Sequence, residues 1–215
     1  MLTELSNSKF LIPAMVFIVI LAMGAGFYLS LKQSQNWDKK NAVSQILFWP
    51  NPKQMNDFNT EDHNGEAFGS DKMKGKWSFL FFGYTNCPDI CPMTMSVMAD
   101  AYKNLSAEFE SIQAIFVTVD PERDTTNDLS SYVSYFDKNF IGLQGNPKDE
   151  SSLIRQIGIV HYHNKKNENY LVDHPASIFL IDPKMRLLAK LSPPHQSKKI
   201  IDQFKKIKIF IDENN

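Results

Sequence analysis

The sequence predicts an α/β domain, a mixed sheet flanked by helices, behind one N-terminal apolar segment. Three observations carry this. The apolar runs Trp77 to Tyr84 and Ile112 to Asp120 read as strands. Between them Met95, Met98, Tyr102, Leu105 and Phe109 recur at helical spacing. A strand–helix–strand unit implies a parallel pair with a right-handed crossover. Last, Ser177 to Asp182 and Leu187 to Leu191 read as two strands joined across Pro183 and Lys184, a terminal hairpin that adds antiparallel strands.

The chain has 215 residues, a net charge of −1 and 43% hydrophobic residues, enough for one globular domain with a core and some extra sequence. That extra sequence lies first. A short tail (1–9) precedes an apolar run (10–31) that contains no charged residue and is flanked by Lys9 and Lys32. As a helix the run spans roughly 33 Å, enough for a bilayer core of roughly 30 Å. It reads as a single transmembrane anchor. The competing signal peptide has an apolar region of only about 7–15 residues. No cysteine follows the run, which argues against a lipoprotein. Lys32, Lys39 and Lys40 beyond the run outweigh Lys9, which Glu4 partly cancels. Lysine count alone therefore leans toward a cytoplasmic C-terminal domain.

Residues 32–56 read as a linker and an extended arm, and 57–215 as the domain. Asp62-His63-Asn64-Gly65 marks a small hairpin within Asp57 to Phe68. Helices are predicted over Met93 to Phe109, Asn127 to Phe136, Glu150 to Ile157 and Ser197 to Ile211, with a short extended piece at Phe140 to Leu143. The last helix has a basic face interleaved with Ile200, Ile201, Phe204 and Ile207, the pattern of a solvated amphipathic helix. A near-neutral chain offers no electrostatic case for nucleic acid.

The two cysteines, Cys87 and Cys91, lie four apart on the turn between the first strong strand and its helix. This completes a thioredoxin-like arrangement. Pro88 pushes Cys87 away from helical angles, and Pro92 is tolerated only in a first helical turn. Cys91 thus falls at a helix N-terminus, where the dipole favours a negative sulfur. Three readings stay open on these residues: a structural disulfide, a thiol–disulfide exchange site and a soft-metal site. Four residues close too short a loop for a disulfide to constrain much unfolded-state entropy. Exchange sites more often separate their cysteines by two residues. Two thiolates are too few for a closed zinc site but suit copper if a histidine joins them. Of the five histidines, His174 stands directly before the third strand, on a loop that faces the cysteine turn in such a fold. His161 and His163 flank Tyr162, share one face of an extended stretch and read as exposed, at most an auxiliary metal site.

At this point the sequence resembles the Sco/SenC family of copper-binding, thioredoxin-like proteins. The stretches that carry the resemblance are Phe81-Phe82-Gly83-Tyr84-Thr85-Asn86-Cys87-Pro88-Asp89-Ile90-Cys91-Pro92, Val119-Asp120-Pro121-Glu122-Arg123-Asp124-Thr125, Phe140-Ile141-Gly142-Leu143, Val172-Asp173-His174 and Ile178-Phe179-Leu180-Ile181-Asp182-Pro183. It covers about Asp57 to Phe210, with the single anchor typical of the family. The resemblance implies copper, Cu(I) or Cu(II), held by Cys87, Cys91 and His174. It implies a role in assembling the dinuclear copper centre of cytochrome c oxidase, with the oxidase's copper-binding subunit and an upstream copper donor or thiol reductant as partners. It also implies a domain facing the bacterial periplasm from the inner membrane, and this overrides the lysine count. The short sequence before the anchor favours a bacterial member.

Pro175, Thr126 and Met185 depart from the family pattern at positions commonly held by Ser, Pro and Gly, and none is a ligand. Pro175 raises the expectation of a cis bond after His174. Asp89 and Asp120 are candidates to act from behind the ligands. Asp89 would add negative potential beside a cation or else simply face solvent. Asp120 would bond a ligand or else close a salt-bridged loop with Arg123. Two other activities compete with the chaperone. One is a thiol–disulfide oxidoreductase using Cys87 and Cys91. The other is a peroxidase, which would need Arg123 folded over the cysteine turn.

Overall fold

The computed structural model describes residues 15–29, 46–164 and 170–214. The expected tail, both ends of the expected anchor and the linker before residue 46 lie outside the described residues. Residues 15–29 form helix α1, with every side chain exposed. Among the described residues no helix is long and apolar enough to cross a membrane. The sheet and the candidate site belong to a separate compact unit, Gln45–Asn215.

That unit runs β1 (Ile46–Gln54), β2 (Asn59–Glu61), β3 (Ala67–Gly69), β4 (Trp77–Gly83), α2 (Ile90–Ser106), β5 (Ile112–Thr118), α3 (Thr126–Phe136), β6 (Ile141–Leu143), α4 (Leu153–Ile157), β7 (Tyr162–His163), β8 (Val172–Asp173), β9 (Ile178–Ile181), β10 (Arg186–Leu191) and α5 (Ser197–Glu213). Six strands make one mixed sheet in the order β1-β10-β9-β4-β5-β6. β4, β5 and β6 are parallel, and β9, β10 and β1 add on antiparallel. Every residue of β4 and β5 is buried, which is why both read as unbroken apolar runs rather than alternating ones.

Helix α5 sets Phe204 against Trp77 and Phe79 of β4, at ring separations of 5.3 and 5.5 Å. Its buried residues Ile200, Phe204, Ile207 and Ile211 form the expected apolar stripe. Helix α3 packs Tyr132 on Phe116 of β5 at 5.0 Å. It opens with a capping box in which Thr125 and Asp128 exchange side-chain and backbone bonds. Thr126 is therefore the first helical residue, a position proline favours, and its hydroxyl donates to Glu61 at 2.9 Å.

Two segments differ from the sequence expectation. The extended arm contributes β1, which pairs with the edge of β10 and shifts register between Phe48 and Lys53. A second hairpin, β7–β8, pairs Tyr162 with Asp173 and His163 with Val172. Its two-residue strands are too short to show any period. The cis bond expected after His174 is absent: among the described residues the cis bond is Pro193–Pro194. Met185, in the family's glycine position, adopts φ 61° with its side chain 2% exposed. A left-handed backbone normally costs a residue with a Cβ about 1–2 kcal/mol. Burial of the methionine side chain offsets that cost.

Topology positions the site. β4 and β5 end together at Gly83 and Thr118. β9 runs antiparallel to β4, with Ile178 beside Phe81, so the loop entering β9 arrives at the same end of the sheet. The residues after β4, after β5 and before β9 meet there, outside the carboxyl ends of the parallel strands.

Candidate metal centre

Cys87 lies in the turn after β4, and its N–H donates to the Tyr84 carbonyl at 3.2 Å. Cys91 is the second residue of α2, as the two prolines require. Both are free thiols and both are buried, Cys91 completely. The Cys91 N–H donates to the Cys87 sulfur at 3.4 Å. Close approach of the helix depends on Gly83, where a Cβ would meet Phe116 at 2.8 Å and the Cys91 sulfur at 3.1 Å.

His174 follows β8 directly. Its Nε2 stands 3.3 Å from Cys91 Sγ and its Nδ1 3.3 Å from the Pro175 carbonyl. With its Nδ1 proton donated to that carbonyl, the Nε2 atom would be free to ligate a metal; without metal, a proton on Nε2 can instead serve the Cys87 sulfur. The imidazole sits between Phe81 and Tyr84, at ring separations of 6.2 and 5.9 Å. One ligand atom from each of Cys87, Cys91 and His174 lies within 4.8 Å of the other two. Three N and S atoms around one ion sit about 3.5–4 Å apart, so the set needs only a small inward closure. Two sulfurs and one imidazole match a soft ion.

The two sulfurs differ electrostatically. The Cys91 thiol bonds to the Cys87 sulfur and pulls the Cys87 pKa far below the usual thiol range. Burial opposes this, while His174 and the N–H groups of Asp89 and Cys91 reinforce it. Cys91 is pushed up by the same bond and by burial. The shared bond thus favours thiolate on Cys87 and thiol on Cys91. Burial pushes the Tyr84 phenol up to about 12, against a backbone bond from Val172.

Asp89 is exposed and stands at the N-cap of α2 without a side-chain cap bond. Asp120 is fully buried and is ion-paired by Arg123, the salt-bridged arrangement. It also accepts from the Tyr170 hydroxyl at 2.9 Å. His161 and His163 do share a face, with rings 5.4 Å apart, but they are half-buried rather than exposed. His163 Nε2 lies 3.5 Å from Asp120 Oδ1. Arg123 stacks on Tyr170 at 3.6 Å and also lies over the Tyr84 ring, at the start of the cysteine turn, at 5.6 Å. His63 and His195 are structural: Gly142 N–H donates to His63 Nδ1, and His195 Nε2 contacts the Ala176 carbonyl at 2.7 Å.

Sequence reasoning passed over Asp124 as a functional residue. Its carboxylate is fully buried and accepts from Thr85 N at 3.0 Å, Thr85 Oγ1 at 2.6 Å and Thr118 Oγ1 at 2.5 Å. Burial raises its pKa, and the threonine bonds oppose the rise. The available signal was a second carboxylate in the same short turn as Asp120. An open groove of about 470 Å³ borders Cys87, lined by Thr85, Pro92, Asp128, Tyr132 and Tyr135 among others.

The SCO1/SenC family model matches residues 50–208. The SCO2-like protein of Rickettsia felis is 31% identical over 193 residues, covering 88% of this chain and 94% of that one. Copper-bound Arabidopsis thaliana ScoI superposes with a TM-score of 0.65 at 30% identity, covering 71% of this chain and 96% of that one. Copper-bound Bradyrhizobium japonicum ScoI superposes with a TM-score of 0.64 at 30% identity, covering 72% and 99%.

Proposed function

Because the chain belongs to the SCO1/SenC family, we propose that it is a copper chaperone that takes one copper ion, Cu(I) or Cu(II), on Cys87, Cys91 and His174. The observation that carries this reading is the convergence of two sulfurs and a correctly oriented imidazole at one end of the sheet. The ion is cargo. A three-coordinate site leaves one side for an incoming thiolate or imidazole, so the ion passes on without first becoming free. In this reading the acceptor is the copper-binding subunit of cytochrome c oxidase, whose dinuclear centre is assembled. An upstream copper donor or thiol reductant recharges the protein. The apolar run 10–31 anchors it once in the bacterial inner membrane, and the domain works in the periplasm, where two thiols can cycle.

The test is copper stoichiometry and X-ray absorption on the reduced full chain. We expect one copper per chain with two sulfurs and one nitrogen. His174→Ala should lose the nitrogen and at least tenfold in affinity. Tight stoichiometric binding retained by His174→Ala would sink the three-ligand site.

The depressed Cys87 thiol favours a second reading, reduction of a partner's disulfide. Cys87 attacks one partner sulfur and the other leaves as thiolate. Cys91 then attacks Cys87, closing an internal disulfide and freeing the second partner thiol, so two electrons pass to the partner. This activity should survive His174→Ala and vanish in Cys87→Ala.

A further inference from the structure

The turn after β5 reaches both halves of the metal centre. Arg123 N and Asp124 N both return to the Asp120 carbonyl, at 3.1 and 3.0 Å, so Asp120 and Asp124 sit on one short closed turn. Both are 0% exposed. Asp124 reaches the sulfur half through the N–H and hydroxyl of Thr85, two residues before Cys87. Asp120 reaches the histidine half, the β7–β8 hairpin, through a bond from Tyr170, with His163 close by. Tyr170, just before β8, donates to one of its oxygens, and His163 of β7 stands 3.5 Å from that same oxygen. Arg123 closes on the other oxygen and stacks on Tyr170. β8 ends at Asp173, and the next residue is His174.

We propose that the 120–124 turn is a clamp that sets the spacing between the two sulfurs and the imidazole, with Asp124 positioning the cysteine turn and Asp120 positioning His174. Two buried carboxylates a few residues apart are costly unless each is well bonded. Here each is bonded to a different ligand-bearing segment. The clamp makes the three-atom set a product of one rigid turn rather than of three independent loops. Neither aspartate touches the ion, and both act through the segments they hold. This inference rests on the metal-centre reading above.

The experiment compares wild type, Asp120→Asn and Asp124→Asn as full chains, with folding checked by circular dichroism. Two readouts are taken: the nitrogen hyperfine structure of bound Cu(II), and the rate at which iodoacetamide alkylates Cys87 without metal. In Asp120→Asn we expect a loss of the His174 nitrogen signal, a fall in copper affinity of about 10–100-fold, and a wild-type alkylation rate. In Asp124→Asn the alkylation rate should change. Tyr170→Phe removes one hydroxyl from the clamp and should weaken copper about fivefold with the fold intact. Wild-type affinity and nitrogen signal in folded Asp120→Asn overturn the clamp. If Asp120→Asn does not fold, wild-type affinity in Tyr170→Phe overturns it. A wild-type protein without a histidine nitrogen on copper overturns the metal reading instead, so the two failures are distinguishable.

Discussion

At Cys87 the sulfur receives a thiol hydrogen from Cys91 and backbone N–H groups from Asp89 and Cys91, while Cys91 is sealed inside the helix start. An ordinary thiol loses its nucleophilic form about tenfold per pH unit below about 8.5. Cys87 does not, because its folded pKa lies far lower. Without metal, its alkylation rate should stay nearly flat from pH 7 to pH 5, with Cys91 unmodified. Mass spectrometry of the alkylated peptide checks both points. A tenfold fall per unit, or equal labelling of the two sulfurs, contradicts this electrostatic picture. Cys87 and Cys91 were legible because the chain has only two cysteines, and His174 because it stands directly before a strand whose entering loop faces their turn. Asp124 was not, because a buried carboxylate looks the same in sequence as a surface one. Met185 shows the same limit: its left-handed backbone is visible only where the turn closes.

Among the elements, the segment from His174 to β9 is held from two sides. The β7–β8 hairpin leads into it, and His195, in the loop before α5, bonds to the Ala176 carbonyl. Burial lowers the His195 pKa, with that bond opposing. The unfolded chain protonates His195 near pH 6.5 while the folded chain resists. Its contribution is therefore complete above about pH 6.5 and is lost as pH falls below it toward the folded pKa. Thermal melts of wild type should drop between pH 7 and pH 5, and His195→Gln should show a smaller drop. An identical drop in both assigns the effect to other groups. Long buried elements were legible, β4 and β5 as unbroken apolar runs and α2 and α5 by a sustained helical period. β8 was not, because a two-residue strand is fixed by the partner it pairs with rather than by its own composition.

Across the whole molecule, the mixed parallel and antiparallel order could be read from the strand–helix–strand unit and the terminal hairpin. The sixth strand could not. β1 carries two prolines, which in sequence argue against a strand, yet it closes the outer edge by pairing with β10. Phe48 of β1 also packs edge-on against Phe210 of α5 at 5.1 Å. A fragment of residues 45–215 should melt as a single cooperative unit. A fragment of 57–215 should melt several degrees lower, having lost that edge and that contact. Equal melting temperatures would show that β1 is only loosely attached.

The broken pairing of β1 has a further effect, on how copies of this chain treat one another. An exposed sheet edge offers unpaired N–H and C=O groups to any passing strand and seeds aggregation. Here the outermost strand loses its ladder between Phe48 and Lys53, where Pro50 and Pro52 carry no N–H to offer. A second strand would find an interrupted row of donors along such an edge. The arm that completes the sheet therefore also ends it on that side, making the β1 edge a poor template for edge-to-edge pairing.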